Sequence, residues 1–410
     1  DTSGNTNLQK DLKFGSTAAI KNSAGNNILS ESGGNVTLEN VRLPASGGIS
    51  DSSGNALLTE SSGAVSLGST VVPSSSMMFR NKIINGNFDI WQRGTSQTTS
   101  DYGSVDRWRP THVGSTKTAS QQAFTLGQTD VPGNPKYYLR HVVSSVAGSG
   151  NYCLIIHKIE GVTTLAGQTA TLSFWAKADS NKNIATEFLQ YFGTGGSPSA
   201  LVNTIGVTTH NLTTSWQKFT ATVAVPSISG KTLGSDGNDR LELNFWLEAG
   251  SDFNSRTNSL GNQSGTFDIA QVQLEEGPVA TPFEQRPIGT ELALCQRYFE
   301  LIVIPGRGIH GQYSPNGGLG DAPAFHGFFT PFKQKKRITP SIPNTTSNSA
   351  WAILSYSNYS SQTTHTFRAQ AISTEGFAPV ANRVSGGNGP SSGLVYAWQG
   401  TVNYQIDAEL

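Results

Sequence analysis

The first 76 residues contain a tandem repeat with few apolar side chains in each unit. The segment IKNSAGNNILSESGGNVTLE (20–39) aligns without a gap on ISDSSGNALLTESSGAVSLG (49–68), at a spacing of 29 residues. Leucine and valine recur at equivalent positions, and glycine and asparagine stand in the turns between them, where they supply positive φ angles. Each unit therefore predicts three short β-strands joined by tight turns.

The apolar face of one repeat needs partners outside the unit. Each unit offers only four or five apolar side chains, and about three stacked repeats are normally required for a stable core. Three identical chains wound together would share one axial core, so we predict a homotrimeric β-shaft over residues 1–76. The alternative is a flexible Gly/Ser linker. Linkers repeat composition, whereas this segment repeats leucine and valine in register.

Composition extends the β-rich prediction to the whole chain and excludes several classes of protein. The 410 residues are 14% charged, compared with about 25% in an average domain, and 45 of them are glycine. These values argue against a helical bundle, and the balance of 28 basic and 28 acidic residues argues against a nucleic-acid partner. The 19 Phe, 11 Tyr and 7 Trp residues argue against disorder. No run of about 18 apolar residues is present, so we expect no membrane span.

The cysteines and the first residue bear on assembly. Cys153 and Cys295 lie in different predicted domains, so we expect no disulfide and assembly in a reducing cytoplasm. The chain begins at Asp1, and its only methionines are Met77 and Met78. We therefore expect it to be part of a longer polypeptide whose N-terminal part makes further attachments.

Residues 79–287 predict a β-sandwich or jelly roll with many short strands. Two runs alternate between apolar and polar side chains, TLSFWAK (171–177) and LELNFWLE (241–248). Further strands are predicted at 152–159, 185–192, 217–225 and 267–274. So many strands in about 200 residues are typical of two packed sheets.

Two tryptophans fall outside the core-facing sets of these two runs. Trp175 has Lys177 beside it, and Trp246 has Glu242 and Asn244 beside it. An aromatic ring stacks on the apolar C–H face of a sugar, while amide and charged groups bond the hydroxyl groups. We therefore predict that these five residues form a carbohydrate-binding site. The alternative is that both tryptophans are covered by a loop or by a neighbouring subunit.

A short helix is predicted after the sandwich. The run TELALCQRYFEL (290–301) indicates a helix within a linking segment at 288–302, capped by Thr290 and apolar along one side. A helix this short must pack on something, and one solution is that the helices of three chains meet at the trimer axis. Cys295 lies on the apolar side and is predicted to be a small buried side chain, not a nucleophile.

Residues 303–410 predict a C-terminal β-rich tip domain. Its last strand is indicated by alternating apolar residues within LVYAWQGTVNYQIDAEL (394–410). The basic run KQKKR (333–337) has two interpretations, which are contact with the phosphates of a lipopolysaccharide and a solvated strand edge that blocks stray pairing.

A series of motifs runs through the middle segment. These are RNKIINGNFDIWQRG (80–94), VDRW (105–108), LAGQTATLSFWAKA (165–178), SWQKFTATVAV (215–225) and FDIAQVQLEEGPVATPFEQRP (267–287). The segment is similar to the jelly-roll carbohydrate-binding modules. With ELALCQRYF (291–299) after it, the chain resembles tail fibre or receptor-binding proteins of tailed bacteriophages. This resemblance implies a jelly-roll β-sandwich that binds saccharides.

The same resemblance bears on metal binding. Some relatives hold calcium with an acid of the NGNFD-type motif and an Asp pair in the last strand. Asp89 matches the first position, whereas Ala270 and Gln271 stand where the pair belongs, with Asp268 just before them. We therefore predict no metal site and no cofactor.

These expectations combine into a virion tail fibre protein assembled in the host cytoplasm. We expect an all-β homotrimer that attaches the phage to host polysaccharide or lipopolysaccharide by non-covalent binding, and that joins other tail proteins through its N-terminal part. No HExxH, P-loop, GxSxG or paired CxxC motif is present, so no catalytic residue and no enzyme activity are predicted. The alternatives are a purely structural fibre or baseplate-associated protein and, third, a polysaccharide depolymerase.

Overall fold

The structure is a computed structural model that describes part of the chain. Residues 79–304 are described without a break. The described remainder consists of the strands between 17 and 67 together with 307–314, 324–327, 329–343, 345–347, 351–354, 359–362, 365–383, 393–398 and 402–410. Side chains are described for 79–303, 329–343, 369–379 and 404–410. The chain forms two compact units, Asp1–Met78 and Phe79–Leu410.

The first unit contains two three-stranded antiparallel sheets, one for each predicted repeat. The strands are β1 (Thr17–Lys21), β2 (Asn27–Ser32), β3 (Asn35–Leu38), β4 (Gly48–Ser50), β5 (Ala56–Ser61) and β6 (Ala64–Leu67). Leu29 pairs with Leu38 in the first sheet and Leu58 pairs with Leu67 in the second, so the sequence repeat is also a structural repeat. The three strands predicted for each unit are confirmed, while the trimeric shaft stays a prediction.

The second unit begins with an antiparallel β-sandwich. Its strands are β7 (Ser96–Gln97), β8 (Trp108–Val113), β9 (Thr116–Ala123), β10 (Tyr137–Ser144), β11 (Tyr152–Glu160), β12 (Thr169–Ala178), β13 (Lys182–Tyr191), β14 (Val202–Leu212), β15 (Gln217–Ala224), β16 (Arg240–Ala249) and β17 (Gly265–Glu276). One sheet has six strands in the order β15-β12-β17-β10-β9-β7, and the other has five in the order β14-β13-β16-β11-β8. A 3₁₀ turn (Ser251–Phe253) and the one-turn helix α1 (Asn254–Thr257) follow β16. The predicted two-sheet sandwich is confirmed.

The two sheets enclose one apolar core built from alternate residues of each strand. Leu172 and Phe174 of β12 and Leu243 and Phe245 of β16 are fully buried in it. The alternation predicted for both strands is therefore confirmed. The four further strands are also present, with ends that differ from the predicted ones by at most three residues.

The linking helix α2 spans Ile288–Gln296 and packs on its own sandwich. Cys295 is fully buried, which confirms the predicted small buried side chain, and burial raises the pKa of its thiol well above the usual value. Glu291 accepts a hydrogen bond from the backbone N–H of Asn85 and lies 3.0 Å from Nη1 of Arg286. Glu291 is thus bonded within its own chain, while the meeting of three helices at a trimer axis stays a prediction.

Both ends of α2 differ from the prediction. The N-cap position is held by Pro287, and Thr290 lies inside the helix. The helix ends at Gln296 because the next strand begins at Phe299 and pairs with the last strand of the chain. Within the described residues, no helix has the length and the apolar content that crossing a bilayer requires.

The C-terminal strands form two further antiparallel sheets. They are β18 (Phe299–Ile304), β19 (Arg307–Ser314), β20 (Ala324–Gly327), β21 (Thr330–Pro331), β22 (Thr345–Ser347), β23 (Trp351–Leu354), β24 (Tyr359–Gln362), β25 (His365–Gln370), β26 (Gly376–Arg383), β27 (Gly393–Trp398) and β28 (Val402–Asp407). β18 pairs with β28, and β19 to β27 make a nine-stranded sheet. Tyr404 and Ile406 of β28 are buried, which confirms the predicted last strand.

The last residues of the chain lie against the sandwich. Arg107 is fully buried and forms an ion pair with Glu409. Nζ of Lys158 donates a hydrogen bond to the Leu410 carbonyl oxygen at 2.5 Å. These contacts attach the end of the segment 303–410 to the sandwich, and the boundary predicted for a separate tip domain stays a prediction.

The basic run at 333–337 is not uniformly exposed. Lys336 is fully buried, and its Nζ lies 2.8 Å from Oε2 of Glu300, which is equally buried. Lys335 is exposed and lies 3.3 Å from Glu375. Neither interpretation of the sequence predicted the buried ion pair of Lys336 with Glu300. The run 333–337 consists of polar residues only, and nothing in it indicates a partner carboxylate on β18.

Candidate functional site

The outer face of the six-stranded sheet carries a groove with Trp175 in its floor. The neighbours of Trp175 on β12, Phe174 and Ala176, point into the core, so the indole points outward, where it is half-buried. The groove holds about 230 Å³, and its lining includes Pro132, Ser173, Lys218, Gln271, Phe283 and Gln285. One indole ring is thus surrounded by a hydroxyl, two amides and an ammonium group.

A β-bulge shapes the floor of this groove. The register between β12 and β17 shifts between Ser173 and Trp175, and Gln271 on β17 has a positive φ of 48°. The Gln271 side chain donates a hydrogen bond to the Pro132 carbonyl oxygen at 2.7 Å. The bulge therefore holds the loop that forms one wall of the groove.

The opposite wall is tied to β17 by two buried side chains. Gln273 donates a hydrogen bond to the Thr281 hydroxyl at 3.1 Å and accepts one from the Glu284 backbone N–H at 2.7 Å. The Glu275 carboxylate accepts hydrogen bonds from the Thr281 N–H at 2.9 Å and from its hydroxyl at 2.6 Å. Both walls are therefore formed before any ligand binds, which lowers the entropic cost of binding.

A charged row crosses three strands next to Trp175. Lys177 shares the outward face of β12, and its Nζ lies 3.9 Å from the Asp268 carboxylate on β17. Arg140 on β10 donates two hydrogen bonds to Asp268, from Nε at 2.7 Å and from Nη2 at 2.8 Å. The hydrogen bonds to Asp268 raise the pKa of Arg140, so the guanidinium stays charged. The row presents two cations on either side of one carboxylate.

Three further aromatic residues lie beside this row. The ring centroids of Tyr138 and Trp216 are 5.3 Å apart, and Phe124 lies 4.8 Å from Tyr138 and 5.3 Å from Trp216. The Lys177 ammonium is 5.2 Å from the Trp216 centroid. Sequence reasoning missed Trp216 because it stands just before β15. Trp216 stands two residues before Lys218, and this spacing predicts that both side chains lie on one face of the sheet.

The predicted site is split between the two sheets. Trp175 and Lys177 lie on the six-stranded sheet, whereas Trp246, Glu242 and Asn244 lie on β16 of the five-stranded sheet. The outward faces of two packed sheets point in opposite directions. The prediction of one site made by all five residues is therefore wrong. Alternation showed which side of each strand faces the core, but not which sheet each strand joins.

Trp246 is covered by its own chain. It is 1% exposed and packs with Leu154, Ile156 and Phe253 in a second apolar cluster on the outside of the five-stranded sheet. The Phe253 ring centroid is 5.2 Å from the Trp246 centroid, and the Arg256 guanidinium is 4.9 Å from it. The 3₁₀ turn and α1 therefore form a cap over this tryptophan, as the alternative of a covering loop predicted.

A buried carboxylate holds this cap in place. Glu187 on β13 is 0% exposed and accepts two hydrogen bonds from Arg256, at 2.8 and 2.9 Å. The same carboxylate accepts hydrogen bonds from the Trp246 indole at 3.1 Å and from the Thr204 backbone N–H at 2.9 Å. Asn244 is the fourth donor, at 3.4 Å. Asn244 and Trp246 thus serve the attachment of the cap.

Glu242 also has a partner within its own strand. It is buried, and its Oε2 accepts a hydrogen bond from Nε of Arg240 at 3.0 Å. The Arg240 guanidinium lies 4.0 Å from the centroid of the Tyr191 ring. Glu242 therefore belongs to an ion pair on the five-stranded sheet, away from the groove over Trp175.

The residues of the calcium motif do not fit a calcium site. Asp89 accepts a hydrogen bond from the Asn87 side chain at 2.8 Å, and burial raises the pKa of its carboxyl group. Asp268 is instead bonded to Arg140 on the outer face. Across the described part of the chain, no three His, Cys, Asp or Glu side chains are placed to hold one metal ion.

Comparison with known proteins found similar solved structures. No family model and no curated protein matches the sequence. The chain is similar to a CBM4 structure, with 18% identity, a TM-score of 0.27, and coverage of 48% of this chain and 99% of that one. It is also similar to the family 11 carbohydrate-binding module from Clostridium thermocellum, with 11% identity, a TM-score of 0.26, and coverage of 46% and 98%.

A third similar structure comes from a bacteriophage. It is the enzymatically active domain of tailspike protein 4 of bacteriophage CBA120, with 14% identity and a TM-score of 0.28. The match covers 48% of this chain and 22% of the tailspike chain. At identities this low, such similarity concerns the fold alone.

Proposed function

We propose that this chain is a tail fibre protein of a bacteriophage virion that binds a host polysaccharide or lipopolysaccharide without covalent chemistry. The observation that carries the saccharide-binding part is the preformed groove over Trp175. The motifs that resemble tail fibres and the β-repeat of residues 1–76 support the fibre part. Assembly takes place in the host cytoplasm, and the N-terminal part of the fibre joins other tail proteins.

The groove suits a short stretch of sugar. The indole of Trp175 stacks on the apolar face of one pyranose ring, and Ser173, Lys218 and Gln285 bond its hydroxyl groups. Its volume of about 230 Å³ is below the roughly 300–1,000 Å³ of sites for drug-sized ligands, so one or two sugar rings are held at a time. Lys177 and its charged row continue the surface for the next part of the saccharide.

A homotrimer compensates for the weakness of each groove. Three copies on one fibre bind a repetitive polysaccharide with an avidity that exceeds the affinity of a single copy by about 10²–10⁴-fold. We expect the mass of the full chain in solution, measured by light scattering, to equal three chains. A measured mass of one chain at micromolar concentration would show that the protein is not a trimer.

Replacing Trp175 by alanine is expected to weaken saccharide binding by tenfold or more. Tenfold corresponds to about 1.4 kcal/mol, which the loss of one stacked ring readily accounts for. A glycan array with the intact fibre identifies the sugar, and titration calorimetry with that oligosaccharide measures the change.

Trp246→Phe is the matched control for this experiment. It replaces the indole by a smaller aromatic ring and removes the N–H that donates a hydrogen bond to Glu187, beneath the cap on the other sheet. Binding should remain at the level of the unchanged chain. If Trp175→Ala binds normally while its mass and circular dichroism are unchanged, the proposed site is wrong.

A purely structural fibre protein is the second candidate. The observation that favours it is the cap over Trp246, because the five-stranded sheet offers no open aromatic surface there. This candidate predicts that no glycan on the array binds and that Trp175→Ala changes nothing. Release of soluble sugar from a bound polysaccharide would instead favour a depolymerase.

A further inference from the structure

A second groove lies at the far edge of the six-stranded sheet. It opens where β7 ends, because β7 pairs with β9 only through Ser96 and Gln97 and the chain then continues as a loop. The groove holds about 570 Å³, and its lining includes Thr98, Ser100, His112, Lys117, Thr118 and Ser144. None of these residues contributes to the groove over Trp175.

The innermost cation of this groove is Lys117. Its side chain points inward from β9 and is 3% exposed, while Thr116 and Thr118 on either side of it point outward. The Lys117 ammonium donates one hydrogen bond, to the Thr99 carbonyl oxygen. Among the described residues, no carboxylate lies within ion-pair distance of this ammonium. Burial lowers the pKa of Lys117 to about 8, as expected for an ammonium that lacks an anionic partner.

The remaining lining is polar and weakly charged. Ser100 Oγ lies 3.2 Å from Nδ1 of His112, so this bond leaves Nε2 of the ring for a ligand. Hydroxyl groups of threonine and serine make up most of the walls, and Val142 adds an apolar patch that is 42% exposed. Hydroxyl-lined walls with one apolar patch suit a sugar ring, and a buried lysine suits an acidic group on it.

We propose that this groove binds the acidic group of a saccharide, a carboxylate or a phosphate, at Lys117. The acid supplies the negative charge that the buried ammonium lacks, and the rest of the sugar lies over the edge of β9 that β7 leaves unpaired, between the hydroxyl groups of the lining and next to the outward-facing Val142. This site is separate from the groove over Trp175, so the two proposals can fail independently.

Methyl resonances in the groove provide the test. The full chain is labelled at valine and threonine methyl groups and titrated in turn with sodium glucuronate, glucose 6-phosphate and neutral methyl glucoside. We expect the Val142 and Thr118 resonances to shift to saturation with one or both acids and to stay in place with methyl glucoside. The acid that saturates at lower concentration identifies the group that the site prefers.

Lys117→Met is the deciding variant, because methionine is of similar length, is uncharged and tolerates burial. It should weaken acid binding at least tenfold, whereas Lys231→Met, at an exposed lysine elsewhere on the sandwich, should leave it unchanged. Val142→Trp fills the groove from outside, keeps Lys117, and should block binding as well. Trp175→Ala should have no effect on this titration.

Three results would overturn the proposal. The first is that neither acid shifts these resonances. The second is that methyl glucoside shifts them equally. The third is that a folded Lys117→Met or Val142→Trp variant binds the acids as the unchanged chain does.

Discussion

Replacing Glu187 by alanine should lower the free energy of unfolding of the sandwich by about 3–5 kcal/mol. The carboxylate is fully buried and accepts hydrogen bonds from Arg256, Trp246, Asn244 and Thr204. Its removal leaves the indole N–H and the amide buried without an acceptor. It also frees the cap that Arg256 holds over Trp246.

Urea unfolding of the full chain, followed by tryptophan fluorescence and circular dichroism, measures this loss. Glu187→Gln keeps the shape and one acceptor oxygen, so it should cost less than Glu187→Ala. Glu276→Ala, at an exposed position at the end of β17, should change stability by no more than about 0.5 kcal/mol. Equal unfolding midpoints for Glu187→Ala and Glu276→Ala would show that the carboxylate does not hold the cap.

The second large effect is expected at low pH. His141 points into the sandwich core, and neither ring nitrogen has a hydrogen-bond partner among the described residues. Burial, and to a lesser extent the charge of Lys117, lower the pKa of His141 to about 3. In the unfolded chain, histidine titrates near its ordinary value of about 6.5. Between these two values the unfolded state binds one more proton than the folded state, so stability falls as the pH falls.

His141→Leu removes this proton and fills the same space with an apolar side chain. At pH 4.5 the variant should be more stable than the unchanged chain by roughly 2–3 kcal/mol, from the pKa difference between the two states. At pH 7.5 histidine is neutral in both the folded and the unfolded state, so proton binding no longer contributes to the difference in stability. Removal of two unpaired polar nitrogens should then make the variant at least as stable as the unchanged chain. Urea midpoints measured across this pH range give both values.

Other groups titrate in the same range but do not obscure the comparison. Burial lowers the pKa of His210 to about 4 and that of His157 well below the ordinary value, and it raises the pKa of Asp106 to about 6. These groups are present in both the unchanged chain and the His141→Leu variant. The difference in stability between the two proteins therefore reports the titration of His141. His112→Gln, at a partly exposed ring, is the control and should alter the acid dependence much less. A stability difference that is the same at pH 4.5 and pH 7.5 would contradict the burial of a neutral His141.

The sequence was a good guide to single strands. Alternation in TLSFWAK and LELNFWLE identified the inward side chains of β12 and β16, because every second residue of a strand must enter the core. The 29-residue repeat predicted three short strands in each of two equivalent units, and each unit forms one three-stranded sheet. Of the candidate site, Trp175 and Lys177 could be found in this way, since each faces outward from β12.

Other features depend on residues that are distant in the sequence. The split of Trp175 and Trp246 between two sheets follows from strand order, and the cap over Trp246 depends on Glu187, 59 positions before it. The burial of Lys336 depends on Glu300 in the same way.

The sequence by itself thus determined the all-β class, the repeat and the outward side of each strand. These properties arise from contacts between a residue and its near neighbours along the chain. Only the tertiary structure decided which outward residues share a surface, because sheet order is set by pairing between distant strands. That pairing brought Trp175 together with Lys218 and Gln285 and placed Trp246 beneath a cap on the opposite face.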